Sequence, residues 1–368
     1  MKKNAFVRLL LWPFARLYGW AVAARNLLFD LKMLPTVRFP LPVICIGNLS
    51  VGGTGKTPFT EYLVRLLKND YRVAVLSRGY KRQSKGFVLA HLNSAAFEIG
   101  DEPCQIKRKF PEVIVAVDAD RRHGIKQLLA LPANERPQVI LLDDAMQHRY
   151  VTPSLTVLLS DYEHLYCDDY LLPVGALRES ARGAYRADIT VVTKCHQAVE
   201  PKELQRIEQK IVLKAHQRLY FSDMRYHRPE PLFSSHTGLV TDLCHDAPVL
   251  IIVGIAHPQP FVSWVKTHFS MVYVCDFPDH HAFSPSDIRY IDEIYQKMPA
   301  ATRKIICTEK DAMRLQSLKF LPEHWKADLY YLPISVGFLL GQGEIFDTSI
   351  LQHVHSIIQF HQNDNETN

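Results

Sequence analysis

The sequence has few of the features that mark a disulfide-bonded or zinc-binding protein. Its 368 residues include seven cysteines, and no two of them form a CxxC pair. Even the closest two, Cys167 and Cys195, lie far apart, and several of the seven stand in short apolar runs. An odd number of widely spaced cysteines disfavours a disulfide framework and a structural zinc site, and it is typical of a reduced compartment.

Extreme charge and biased composition are absent as well. Hydrophobic residues make up 47% and charged residues 22%, which excludes a disordered chain, a collagen and a polytopic membrane protein. The net charge of +5 is too small to indicate nucleic acid by itself, and no RNP, zinc-finger or basic-helix motif occurs. We therefore expect no nucleic-acid partner. At about 150 residues per domain, the length predicts two domains.

Residues 1–38 contain one acidic residue, Asp30, and seven basic ones, with aromatic and aliphatic side chains between them. The longest run without charge, Leu17 to Ala24, is far shorter than the ~20 residues that span a bilayer. A basic, aromatic-rich helix of this kind is typical of a membrane interface. Arg16 and Arg25 oppose that interpretation, since they project from opposite sides of a helix, although long Arg side chains can reach lipid headgroups. The alternative is a helix that packs on its own domain.

After the prolines that end this segment, the sequence alternates between short apolar runs and helical stretches. Runs rich in Val, Ile and Leu predict strands covered on both faces at Val43–Ile46, Arg72–Leu76, Val113–Val117, Val139–Leu142, Leu155–Leu159 and Ile189–Val192. A second series is expected at Val249–Val253, Met271–Val274, Lys304–Cys307 and Leu329–Leu332, with helices near Pro258–Thr267, Pro285–Lys297 and Asp311–Leu318. The pattern predicts an α/β fold with mainly parallel sheets, a linker near residues 220–235 and a frayed polar tail after Gln359.

The first run leads into a glycine-rich segment, GNLSVGGTGKT at residues 47–57, and then into a helical stretch. Glycines let successive N–H groups turn towards phosphate oxygens, and the helix N-terminus adds its dipole. The strict pattern has Gly where this sequence has Ser50, yet strand, loop, GKT and helix occur in the expected order. The partitioning ATPases are disfavoured, because Val51 stands where they carry an extra lysine. The residues predicted to bind ATP are Asn48, Ser50, Val51, Gly52, Gly53, Thr54, Gly55, Lys56 and Thr57.

The run at Val139–Leu142 ends in two acidic residues, Asp143 and Asp144. Any surface strand can end in Asp, but a carboxylate here, downstream of a phosphate loop, can hold Mg²⁺ or its waters. The Thr57 hydroxyl is the other predicted metal contact. Loop and acids together predict a nucleoside triphosphate with Mg²⁺, without indicating which group accepts the phosphate.

Eight short motifs follow one another along most of the chain: GNLSVGGTGKTP (47–58), SRGYKR (77–82), GDEP (100–103), DDAMQHR (143–149), LLPVGALRE (171–179), GIAHPQPF (254–261), FPDHHAF (277–283) and TEKDAMRL (308–315). Together they resemble the tetraacyldisaccharide 4′-kinase family of Gram-negative lipid A synthesis. The phosphate loop alone is shared by many families, but its combination with the other motifs is highly specific. One departure is Ala176, where the family usually has Pro.

The resemblance implies two α/β domains with the active site between them, the first a P-loop NTPase-like parallel sheet. The implied reaction transfers the ATP γ-phosphoryl group to the 4′-hydroxyl of an acylated glucosamine disaccharide 1-phosphate, giving lipid IVA. The implied boundaries are a membrane-interface helix at 1–38, a kinase domain at 39–225, a second domain at 226–360 and a tail at 361–368. The expected location is the cytoplasmic face of the inner membrane, as a peripheral or monotopic protein.

In the family the acid of GDEP pairs with the His of the DH segment, which map here to Asp101 and His280. By themselves, Asp101 could be a helix N-cap and His280 an ordinary polar loop residue. A carboxylate suits the task of accepting the proton of a sugar hydroxyl. Lys56 and Arg178 complete the predicted catalytic set, Arg178 by balancing charge during transfer. The predicted contacts to the lipid acceptor are Arg78, Arg121, Gln147, His148 and Glu179.

Two other classes of function remain open at this stage. A membrane-associated NTPase switch would share the loop, the acids and the basic helix, but it would not require GDEP, the DHH segment or an acceptor cleft. A nucleic-acid-binding module is weaker, because most of the excess positive charge lies among the aromatics of residues 1–38.

Overall fold

A computed structural model of the protein describes residues 5–233, 245–299 and 303–366, and Cys244 lies outside them. The helices of this part of the chain are Ala5–Asp30 (α1), Lys56–Leu67 (α2), Ala96–Ile99 (α3), Asp101–Lys109 (α4), Arg121–Leu129 (α5), Pro201–Lys210 (α6), Gln259–His268 (α7), Pro285–Lys297 (α8), Glu309–Gln316 (α9) and Gly343–Glu366 (α10). The strands are Val43–Asn48 (β1), Val73–Ser77 (β2), Val88–Leu89 (β3), Ile114–Val117 (β4), Val139–Asp143 (β5), Leu155–Asp161 (β6), Ile189–Thr193 (β7), Arg218–Tyr226 (β8), Glu230–Pro231 (β9), Val249–Val253 (β10), Val272–Asp276 (β11), Lys304–Thr308 (β12), Leu329–Leu332 (β13) and Ile334–Phe338 (β14).

The larger sheet has nine strands in the order β14-β8-β7-β6-β1-β5-β2-β4-β3. Its six inner pairings are parallel, and only the two edge strands, β14 and β3, run antiparallel to their neighbours. Every residue of β1, β2, β5 and β7 is buried, because helices cover both faces. The unbroken apolar runs therefore became inner strands, and the predicted α/β fold is confirmed.

The smaller sheet has five strands in the order β11-β10-β12-β13-β9, of which only β9 is antiparallel. A separate core packs beneath it, with Trp325, Ile291 and Leu315 fully buried. We call the two bodies the large and the small domain. In a parallel sheet the carboxyl ends of the strands share one edge, where ligands usually bind. The loops at that edge of each sheet carry the motifs described below.

The chain returns to the large domain after the small one. Strand β14 pairs with β8, and α10 inserts Phe346, Ile350 and Val354 into the core of the large domain. A single boundary at residue 226 does not describe this path, because the last third of the chain contributes to both bodies.

Two local expectations were wrong. The region near residues 220–235 is not all linker, because Arg218–Tyr226 is a strand with Tyr220 and Phe221 buried. The end of the chain is not frayed from Gln359, because α10 continues to Glu366. Both elements are hard to recognise in the sequence because they contain many polar residues. Strand β8 includes Arg and Asp, and α10 buries only a narrow stripe of apolar side chains.

Among the described residues, no helix is both long and apolar enough to cross a membrane. Helix α1 lies instead against the large domain, where it buries Ala15 and Phe29. Many of its other large side chains face outward, including Leu9 at 74%, Trp20 at 65% and Leu17 at 64% exposed. Arg25 lies on the packed side and Arg16 on the exposed side, which answers the objection that the two project in opposite directions.

Candidate active site

The glycine-rich segment links β1 to α2, as expected for a phosphate loop. Gly55, immediately before α2, has φ of +81°, a conformation that residues with a Cβ rarely adopt. The loop is held from inside, since Asn48 donates its amide to Oγ1 of Thr54 at 2.9 Å. It is also held from β7, where Oγ1 of Thr193 donates to the carbonyl of Thr54 at 2.9 Å. These two hydrogen bonds hold Thr54 in the loop from both sides.

Arg178 joins the phosphate loop to the acidic end of β5. Its guanidinium donates to Oδ1 of Asn48 at 2.6 Å and to both carboxylate oxygens of Asp144 at 3.0 and 3.2 Å. It also donates to the carbonyl of Ser50 at 3.2 Å. The backbone follows the same path, because N–H of Arg178 donates to the carbonyl of Leu49 at 2.7 Å. A residue far along the chain thus completes the wall of the loop.

Lys56 lies 3.8 Å from Asp144, and burial lowers the pKa of its ammonium while Asp144 opposes that shift. Burial also works to raise the pKa of Asp144, but the charges of Lys56 and Arg178 outweigh it and the pKa is lowered. Asp143 behaves differently. Burial, helped by the negative charge of Asp144, raises the pKa of Asp143 to about 6. Asp144 is therefore the paired carboxylate and Asp143 the unpaired one.

The donor set fits a hard cation held mainly by nucleotide phosphates. Mg²⁺ prefers oxygen ligands and commonly takes one or two carboxylates together with substrate phosphates and water. Asp143, Asp144 and the Thr57 hydroxyl supply oxygens next to the phosphate loop, and no cluster of three or more His, Cys, Asp or Glu forms a metal cage in the described part of the chain. The hydroxyl of Thr60, a residue that no sequence motif indicated, donates to Oδ1 of Asp143 at 3.4 Å and orients that carboxylate.

The structure brings together Asp101 and His280, which lie 179 positions apart. Asp101 opens α4 in the large domain, and His280 lies in the loop between β11 and α8 of the small domain. Nδ1 of His280 is 3.1 Å from Oδ2 of Asp101. His280 and Asp144 both hold positive φ, of 60° and 48°, a conformation that costs roughly 1 kcal/mol or more outside glycine. Strain of this kind is concentrated at functional sites.

Two cations of α9 that the sequence analysis did not single out surround this pair. Arg314 donates to Oδ2 of Asp101 from Nη2 at 2.6 Å and from Nε at 3.1 Å. Nζ of Lys310 lies 3.2 Å from Nε2 of His280 and 3.0 Å from the carboxylate of Glu102. Lys310 and Arg314 stand four residues apart in TEKDAMRL, on one face of a helix. Two basic residues on one face of a matched motif were the sequence feature that could have identified them.

The pKa of Asp101 reflects these contacts. Burial favours the neutral acid, but the hydrogen bonds from His280 and Arg314 outweigh it and lower the pKa of Asp101 to about 2. The adjacent Glu102 acts on the phosphate site, since its negative charge contributes to the pKa values of Lys56 and Asp143. Glu102, next to Asp101 on α4, is therefore within electrostatic range of Lys56 and Asp143.

The five residues predicted to contact an acceptor have different surroundings. Arg78 is exposed, whereas Arg121 is buried with its Nε unpaired and one Nη bonded to the carbonyl of Asp143. Nε2 of His148 is also buried without a hydrogen bond, and burial lowers the pKa of His148 to about 4. Gln147 and Glu179 bond to each other at 3.1 Å, which leaves less of them free for a ligand.

Helix α1 docks beside these residues. The Tyr18 hydroxyl donates to the carbonyl of Arg178 at 2.6 Å, and the Asn26 amide donates to Glu179 at 3.1 Å. Arg25 donates to the carbonyl of Gln147 at 2.9 Å. The helix therefore contacts the main chain and side chains that form the wall of the phosphate site.

Known proteins with the same arrangement were found by sequence and by structure. A protein of Parabacteroides distasonis described as tetraacyldisaccharide 4′-kinase is 51% identical to this chain over 354 residues, which cover 96% of each chain. The one in Flavobacterium johnsoniae shares 47% over 348 residues, covering 95% of this chain and 97% of that one.

A crystal structure from Aquifex aeolicus, described as an "apo" form of LpxK in complex with ATP, superposes with a TM-score of 0.73 and 29% identity. The match covers 95% of this chain and 99% of that one. The model of the family described as tetraacyldisaccharide-1-P 4′-kinase matches residues 7–355. With relatives this similar over nearly the full length, and with a family model that matches residues 7–355, the chain belongs to the tetraacyldisaccharide 4′-kinase family.

Proposed function

We propose that this protein transfers the γ-phosphoryl group of ATP to the 4′-hydroxyl of an acylated glucosamine disaccharide 1-phosphate. The observation that carries the proposal is the pairing of Asp101 and His280, next to Glu102, whose charge acts on Lys56 of the phosphate loop. A switch that only hydrolyses a nucleotide has no need for such a dyad, built from one residue of each domain. The pair supplies what a hydroxyl acceptor requires, a fixed anion to take its hydrogen bond.

Phosphoryl transfer depends mainly on positioning and on stabilising charge, since its transition state is loose. Lys56 and Arg178 are cations beside the phosphate loop, and they would stabilise the charge on the transferring group. Asp143, Asp144 and Thr57 would hold Mg²⁺, which supplies further neutralisation between the phosphates when bound.

Asp101 would accept the hydrogen bond of the sugar hydroxyl. Its Oδ2 is occupied by His280 and Arg314, while no hydrogen bond from the described residues reaches Oδ1. Nδ1 of His280 lies 3.1 Å from Oδ2 of Asp101 and 3.3 Å from Nη2 of Arg314, and its Nε2 lies 3.2 Å from Nζ of Lys310. His280 thus orients the carboxylate, and Oδ1 is the oxygen left for the substrate.

The test is an assay with γ-labelled ATP and purified tetraacyldisaccharide 1-phosphate, followed by mass analysis of the lipid product. We expect label in the lipid and a mass increase of one phosphate. Lys56→Ala should abolish the transfer, because it removes charge from the phosphate site while the loop remains tied by Asn48 and Thr193. Nucleotide hydrolysis without a labelled lipid, unaffected by the acceptor, would favour the NTPase switch.

We infer that the enzyme works at a membrane surface through α1. The exposed side chains of this helix are mostly large and apolar, and a patch of this kind is typical of an interface helix. Nearby basic residues add attraction to anionic lipids. Since α1 also touches the wall of the active site, it would hold the cleft near lipids whose acyl chains remain in the membrane.

Vesicle partitioning can separate this role from simple packing. The variant Leu9→Ser/Leu17→Ser/Trp20→Ser changes only exposed positions, so it should lower binding to anionic vesicles and raise KM for the lipid without changing the thermal midpoint. Tyr18→Phe removes a docking hydrogen bond and is the control, with vesicle binding unchanged. Equal partitioning of the triple variant and the wild type would reject the membrane role.

A further inference from the structure

The Asp101 carboxylate is held by more than its histidine. Arg314 reaches it from the small domain and directs two N–H groups to a single oxygen, Oδ2, at 2.6 and 3.1 Å. Arg314 has only 9% of its side chain exposed and Asp101 has 17%. A contact this enclosed is screened little by solvent, so it acts more strongly than a surface ion pair.

Arg314 is itself fixed by its own domain. Its Nη1 donates to the carbonyl of Gly254 at 3.1 Å and to Oδ1 of Asp311 at 3.0 Å. Asp311 is fully buried, and its Oδ2 accepts from the Thr308 hydroxyl at 2.6 Å and from N–H of Gly254 at 2.9 Å. The guanidinium is therefore oriented before it meets Asp101. A planar fork held in this way cannot be replaced by the single point charge of lysine.

We propose that Arg314 is a positioning residue for phosphoryl transfer, which fixes Asp101 by its Oδ2 and leaves Oδ1 as the acceptor for the substrate hydroxyl. The inference rests on the proposed function. Arg314 also keeps the dyad assembled, because Asp101 belongs to the large domain and both Arg314 and His280 to the small one. Arg314 acts through Asp101 and contacts no reacting atom.

The charged groups that face Asp101 are few. His280 and Asp279 come from the loop before α8, Lys310 and Arg314 from α9, and Glu102 from α4 itself. Removing the Arg314 charge leaves Lys310 near Glu102 and leaves His280 as the direct partner. The pKa of Asp101 should then rise, because burial raises it and one of its two direct partners is lost.

The experiment compares wild type with Arg314→Gln, Arg314→Lys and Arg108→Gln. Arg108 is the matched control, because it also links α4 to α9, by donating to Gln316 at 2.9 Å, but it does not touch Asp101. The carboxyl resonance of Asp101, labelled with ¹³C and assigned with Asp101→Asn, is titrated in each protein. Kinetics with ATP and the acylated disaccharide give kcat and both KM values against pH.

For Arg314→Gln we expect the Asp101 titration to move up by about one unit or more. The kcat should fall by about 10²-fold, the cost of a misplaced catalytic group, with KM for ATP unchanged and the acidic limb of the rate profile shifted to higher pH. Arg314→Lys should recover part of both effects, and Arg108→Gln should match wild type.

An unshifted Asp101 titration in both Arg314 variants would overturn the proposal, as would a kcat loss equal to that of Arg108→Gln. The titration needs no turnover, so it decides the role of Arg314 even if wild type fails to phosphorylate the lipid. That failure would reject the proposed function instead. If Arg314→Gln does not fold, Arg314→Lys carries the same comparison.

Discussion

At the scale of single residues, the phosphate site depends on how two cations, Lys56 and Arg178, pair with the adjacent acids at the end of β5. Asp144 pairs with both Lys56 and Arg178, and among the described residues no cation forms an ion pair with the carboxylate of the buried Asp143. Mg²⁺ at that edge of the sheet would give Asp143 a cationic partner. Asp144 already pairs with Lys56 and Arg178, so it would bind the metal in competition with them. The two adjacent acids, which look equivalent in the sequence, are expected to play different parts.

The first prediction concerns Arg178. Its contacts to Asn48, Asp144 and the Ser50 carbonyl need the spread of a guanidinium, so Arg178→Lys should fail to restore what Arg178→Ala loses. We expect both variants to lose about 10²-fold or more in kcat, as for other lost charge-stabilising donors. Steady-state kinetics measures this, with exposed Arg182→Ala as control. Near-normal kcat in Arg178→Lys would mean that charge alone suffices.

The second prediction separates the two acids. Asp143→Asn should raise the Mg²⁺ concentration needed for half-maximal rate, because it removes the carboxylate that has no competing cation. Asp144→Asn should raise it less but should lower the thermal midpoint, since Lys56 and Arg178 lose their shared partner. Magnesium titrations and thermal melts of both variants test this. If both variants and the wild type show the same magnesium dependence, the proposal that these acids bind the metal is rejected.

Much of the site could be predicted at this scale, and the reason for the omissions is physical. Lys56 and Asp143 belong to local sequence patterns, the glycine-rich loop and the acidic strand end. Asp101 and His280 were predicted from the family resemblance. Arg314 and Glu102 could not be assigned from local patterns. Arg314 meets Asp101 across 213 positions, and nothing in a helix repeat reveals which turn faces another domain.

At the scale of elements, α4 of the large domain packs against α9 of the small domain. Behind the dyad, Lys109 bridges two buried acids, Glu61 at 2.7 Å and Glu309 at 2.5 Å. Gln105 donates to the same two carboxylates at 2.7 and 3.3 Å. Burial, with the negative charge of Glu61, raises the pKa of Glu309 to about 7. The pair therefore takes up a proton near neutral pH.

The third prediction follows from that shift. A carboxyl whose folded pKa is raised gives stability that is complete below its unfolded pKa and is lost as pH rises through about 7. Glu309→Gln does not titrate, so its thermal midpoint should rise relative to that of wild type as the pH increases from about 4.5 to about 7. The exposed Glu323→Gln is the control. A midpoint difference that does not change with pH would contradict the shared proton.

Strands were easier to predict than the elements at the edges. Inner strands such as β1 and β10 bury both faces, so their apolar runs are unbroken in the sequence. Strand β8 lies beside an antiparallel edge strand and buries polar residues, Ser222 and Asp223, next to Tyr220 and Phe221, so its sequence resembled a loop. Helix α10 buries few residues, although Phe346 packs against Phe59 and Phe338. Its role in the large domain depends on tertiary packing.

At the scale of the whole molecule, two chain crossings connect the domains. One leaves β8 for β9, and the other leaves β13 for β14, with only Pro333 between that pair of strands. A pocket of about 840 Å³ lies beside these crossings, lined by Tyr62, Arg108 and His227 among others. The dyad lies on the α4–α9 side of the same junction. The arrangement of the domains therefore determines whether Asp101 meets His280.

The central claim is that Asp101 and His280, one from each domain, act as a single unit in phosphoryl transfer. The most direct measurement is a double-mutant cycle in kcat, with Asp101→Ala, His280→Ala and the double variant assayed on ATP and acylated disaccharide. Each single variant should lose roughly 10²–10⁴-fold, and the double should be little worse than the worse single. Fully additive losses would show two independent residues and would contradict the account.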